Sequence, residues 1–152
     1  DENIEAGDTG NVTLEVLAEV GAGSARAVAP DEPEHITIGK SFLRGHANSK
    51  LFALRIAGES MAPELRTGDI VICEKTVGDL TRIQRDKMYC VRLDEQDGST
   101  IKKLMYVPSA KELLLLPLNP ACDPEPIKLH GGARSPVRGV VVAVFRYLNN
   151  GK

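Results

Sequence analysis

The chain has 152 residues, of which 42% are apolar and 4% aromatic, with no Trp and a formal net charge of −2. That is enough apolar chain for one domain with a core of its own. The charge offers no basic field for phosphates, and the longest apolar runs, Leu113 to Leu116 and Val140 to Phe145, are too short for a bilayer, which argues against nucleic acid or membrane as a main partner. Three cysteines, Cys73, Cys90 and Cys122, show no CxxC spacing, and two of them fall inside apolar strand-like runs. They read as reduced, buried thiols of a cytoplasmic protein.

Residues Asp1 to Gly10 are acidic and glycine-containing with no apolar period, so they read as a mobile arm or the remnant of a linker. The chain begins at Asp1 without a charged-then-apolar leader, which reads as a fragment of a longer product. From Val12 the pattern sharpens, with Val12, Leu14, Val16, Ala18 and Val20 on one face of an extended strand. Gly21-Ala22-Gly23-Ser24-Ala25 breaks that strand with residues of minimal size, and Ala27 to Pro33 follows as a proline-rich extended connector. Further strands are expected at His35 to Ile38, Leu51 to Ile56, Ile70 to Glu74, Met88 to Leu93, Ser99 to Tyr106, Glu112 to Leu116, Ile127 to Leu129 and Val137 to Tyr147. Asp97-Gly98 is a hairpin signal, and Thr76 to Asp86 is a polar connection with room for a short helix. Short strands between Gly and Pro turns predict an all-β, mainly antiparallel, strongly bent sheet assembly with at most short helical turns.

Two stretches carry chemistry. In Gly58-Glu59-Ser60-Met61-Ala62-Pro63, Ser60 follows a core strand at a turn that Gly58 and Pro63 constrain, which can present its hydroxyl to a cleft. In Ser99 to Leu104, Lys102 and Lys103 stand on a returning hairpin strand, Lys102 lying 42 residues beyond Ser60. A serine hydroxyl needs a base to take its proton, and a lysine made neutral by burial can serve. Strand parity separates the two lysines but does not say which one is the base. His35, His46 and His130 lack a ligand-like spacing, so neither a metal site nor a Ser/His triad is expected, and no cofactor. Ala22-Gly23 has side chains small enough for a scissile bond to enter a protease cleft.

Gly58-Glu59-Ser60-Met61, Thr67-Gly68-Asp69, Ile101-Lys102-Lys103-Leu104, Leu116-Pro117-Leu118-Asn119-Pro120 and Val137-Arg138-Gly139-Val140-Val141 occur in this order. Together they resemble the self-cleaving Ser/Lys domain shared by LexA, phage repressors of the cI type and UmuD, over nearly the whole chain. The resemblance implies the LexA C-terminal or signal-peptidase-like fold, with Ser60 as nucleophile and Lys102 as base. It further implies that backbone N–H groups of Ser60 and Met61 form the oxyanion hole and that Ala22-Gly23 is the scissile bond. Residues 1–33 would be a linker and cleavable arm, and 34–152 the catalytic and dimerisation domain. The implied partners are a second copy in a homodimer, the chain's own arm as substrate and a RecA filament on single-stranded DNA. DNA would be reached only through a helix-turn-helix domain upstream. A non-catalytic oligomerisation module and a UmuD-like mutagenesis factor are the alternatives. Thr76 to Asp86 is longer than the segment expected in LexA.

Overall fold

A computed structural model describes residues 10–20, 27–28, 34–46, 50–58, 63–76, 79–93, 98–117, 121, 125–128 and 135–148. In chain order its strands are β1 (Asn11–Val20), β2 (Ala27–Val28), β3 (Glu34–Gly39), β4 (Leu51–Ile56), β5 (Ile70–Lys75), β6 (Tyr89–Leu93), β7 (Gly98–Val107), β8 (Glu112–Leu116), β9 (Glu125–Lys128) and β10 (Val137–Phe145). Their order across the sheet is β2-β1-β4-β5-β10-β6-β7-β8-β9, with β3 also paired to β1. Among the described residues the only helical pieces are single 3-10 turns at Lys40–Leu43, Leu80–Arg82 and Pro108–Ala110. This is the all-β, mainly antiparallel assembly expected from the sequence.

The bend comes from strands that change partners along their length. β7 pairs with β6 from Gly98 to Lys102 and with β8 from Lys103 to Val107. β10 pairs with β6 from Val137 to Val140 and with β5 from Gly139 to Phe145, overlapping at Gly139 and Val140, with register shifts between Val137 and Gly139 and between Val141 and Ala143. Such irregularities kink a strand and increase its local twist. Gly139 sits at the tightest approach, where an added Cβ would lie 2.7 Å from Glu74 O and 2.9 Å from the Phe52 ring.

The alternation read in β1 is realised. Val16, Ala18 and Val20 are buried, Val12 and Leu14 pack at the margin of the core, and Leu17 faces out. Burial divides into three apolar clusters. One joins Val20, Ile56, Leu65, Cys73, Cys90 and Ile101, a second lies under β3 and β4, and a third fills the space between β6, β7 and β8. The sequence reading missed β2, whose two backbone partners on β1 are Glu19 and Val20. It also carried the last strand to Tyr147, whereas β10 ends at Phe145 because Arg146 turns away to a carboxylate elsewhere in the fold. The ninth strand begins at Glu125 rather than Ile127, and Pro126 is accommodated because β9 is an edge.

Candidate active site

β1 and β4 are parallel neighbours, with Val16 opposite Ala53 and Val20 opposite Ile56. Both chains therefore leave the sheet at the same end, about 4.8 Å apart. The Ala57 amide prolongs the pairing by donating to Val20 O at 3.0 Å. Ala22-Gly23 follows β1 by two residues, and Ser60 follows β4 by four. Ala22, Gly23, Ser60 and Met61 themselves lie outside the described residues.

The loop between β4 and β5 is closed at its base by its own backbone. Gly68 N donates to Ile56 O and Ile56 N donates to Asp69 O, both at 2.8 Å. Gly58 has φ +85°, a left-handed conformation in which a side chain would be strained, and its carbonyl accepts from the Thr67 hydroxyl at 2.9 Å. Leu65 is fully buried in the cluster beneath, so the descending limb is anchored by packing as well.

Asp69 is the polar hub of this limb. Its carboxylate is 1% exposed and accepts from the Arg66 amide at 2.9 Å and from two nitrogens of Arg146 at 2.8 and 2.7 Å. Arg146 also donates to Glu64 O at 3.2 Å. Burial by itself raises the Asp69 pKa, but the bonds from Arg146 and the Arg66 amide favour the anion and hold it below the ordinary carboxylate value. The sequence flagged Thr67-Gly68-Asp69 as a motif but did not flag Arg146, which is 77 residues away. The signal available was a lone arginine directly after a long apolar strand.

The lysine strand approaches the same limb. Ile101 is fully buried and shares the cluster of Val20, Ile56 and Leu65. Lys102 is half-buried and pairs in register with Tyr89. Lys103 Nζ forms an ion pair with Glu64 Oε1 at 3.2 Å. Both immediate neighbours of Lys102 are thus tied to residues that flank Ser60 in sequence.

Other features lie apart. A cavity of about 470 Å³ is lined by Leu80, Ile83, Tyr89, Val137 and Val140, and among the described residues its lining includes none from this loop and neither Lys102 nor Lys103. Among the described residues no three His, Cys, Asp or Glu side chains gather as metal ligands. His46 Nδ1 lies 3.3 Å from Glu74, His35 is exposed on β3, and His130 is outside the described residues.

The fold is of the serine-peptidase type. The family model described as Peptidase S24-like matches residues 15–142, and the chain belongs to that family. Within it, the relatives are LexA repressors. The chain is 27% identical over 147 residues to a LexA repressor of Myxococcus xanthus, covering 95% of this chain and 62% of that protein. It is 33% identical over 140 residues to a LexA repressor of Syntrophobacter fumaroxidans, covering 91% and 60%. The chain therefore spans about three-fifths of the length of these curated relatives.

Proposed function

We propose that this chain is the self-cleaving regulatory domain of a LexA-like or phage-type repressor, cutting its own Ala22-Gly23 bond with Ser60 and Lys102. One observation carries the reading. Val20, Ile56, Leu65 and Ile101 meet in a single buried cluster. In sequence these residues lead, respectively, to the scissile bond, into and out of the serine segment, and to the lysine. Two residues of chain reach at most about 7 Å and four about 14 Å, spans that allow the three reactants to meet and so support the reading.

In the reaction, neutral Lys102 takes the Ser60 proton as Oγ bonds to the Ala22 carbonyl carbon. N–H groups of Ser60 and Met61 receive the developing oxyanion. Collapse breaks the C–N bond, Lys102 returns the proton to the Gly23 nitrogen, and Ala22 is left as an ester on Ser60. Lys102 then takes a proton from water, whose oxygen attacks the ester, and the proton returns to Ser60. Cleavage would separate residues 1–22 and any DNA-binding domain before them from a dimerising remainder. A homodimer would thereby lose its bivalent hold on DNA. A RecA filament on single-stranded DNA, in the cytoplasm, is the stimulus this family reading brings with it.

The test is intact mass after incubation from neutral to alkaline pH, beside Ser60→Ala and Lys102→Ala. Fragments ending at Ala22 and starting at Gly23 should accumulate faster as pH rises, because Lys102 acts only without its proton, and both variants should stay whole. A wild-type chain that stays whole even at alkaline pH and with activated RecA favours a non-catalytic oligomerisation module instead.

A further inference from the structure

We infer that Lys103 and Glu64 form a latch that positions the Ser60 segment against the lysine strand, an inference that rests on the self-cleavage reading above. The loop between β4 and β5 is held from two directions. Arg146, at the end of β10, grips Asp69 through two nitrogens and the Glu64 carbonyl through one. That contact fixes the base of the limb. Lys103, on β7, reaches the Glu64 side chain at 3.2 Å, four residues beyond Ser60. It bridges the strand that carries the base and the segment that carries the nucleophile.

The two lysines therefore have separate tasks. Lys103 spans from β7 to a carboxylate on the loop, which suits an anchor between the two. Lys102 and Lys103 also stand where β7 passes from β6 to β8, so a tie at Lys103 steadies the strand at its bend. The latch contributes little to global stability, because both side chains remain about a third or more exposed, at 32% and 40%. Its effect is on geometry, to which a proton transfer followed by nucleophilic attack is far more sensitive than folding is.

The experiment compares self-cleavage rates of wild type, Lys103→Glu, Glu64→Lys, the double charge swap and Lys103→Arg, with thermal midpoints and labelling by a fluorophosphonate probe. Each single reversal should slow cleavage and labelling by about tenfold to a hundredfold while the midpoint stays close to wild type. The swap and Lys103→Arg should recover most of the rate, which loss of generic packing would not allow. Glu64→Lys keeps the backbone carbonyl that Arg146 uses, so the second tie survives. If wild type cleaves and the single reversals cleave as fast, or the swap is no better than either, the latch is wrong while the Ser60 reading stands. If wild type neither cleaves nor labels, the parent reading fails and the latch falls with it.

Discussion

Asp69 shows how one buried charge can hold a loop. Its carboxylate is surrounded by donors from its own turn and from the far end of the last strand, and breaking such a pair leaves a charge without compensation. Asp69→Asn should lower stability by about 1–2 kcal/mol, less than loss of a fully buried pair because Arg146 is a third exposed and stays hydrated. The pH dependence has a definite sign. The folded pKa lies below the unfolded one, so this stabilisation is complete above the unfolded carboxylate's pKa and fades as pH falls through the lower folded value. Denaturant titrations from neutral to acid pH should show wild type losing more stability than Asp69→Asn on that limb. Equal losses would mean that Asp69 keeps its ordinary affinity for protons.

Among the elements, β10 carries the tightest constraint. It crosses β5 where Phe52 and Glu74 leave no space for a Cβ at residue 139, and Arg138 beside it lies 5.8 Å above the Phe52 ring while donating to the Ser99 hydroxyl at 2.9 Å. Gly139→Ala should cost about 2 kcal/mol by overpacking, measured as a lower denaturant midpoint with unchanged slope. A neutral result would show that both the Phe52 ring and the Glu74 backbone can give way. β7 makes a different point at this scale. The strand and its two lysines were visible in sequence, yet parity did not say which lysine is the base. The structure ties Lys103 to Glu64, a contact between residues 39 apart that no local pattern encodes.

For the whole molecule, the buried thiols report on cooperative opening. Burial pushes the Cys73 thiol well above its ordinary value and the Cys90 thiol up to about 11, and the two sit on β5 and β6 within one cluster. Both should resist a disulfide exchange reagent at neutral pH and react together at the rate of global unfolding, as read by peptide mass mapping. Fast labelling of either one alone would reveal local opening of its strand. The sequence by itself determined the strands, because period-two alternation and Gly/Pro punctuation are local signals. It determined the family as well, because five short motifs in fixed order are preserved in linear form. Only the tertiary structure decided that β1 and β4 run parallel and leave the sheet side by side, that β7 and β10 change partners midway, and that Arg146 and Lys103 reach back to one loop. Those facts depend on which distant surfaces bury one another, and burial between remote segments leaves no periodic trace in either of them.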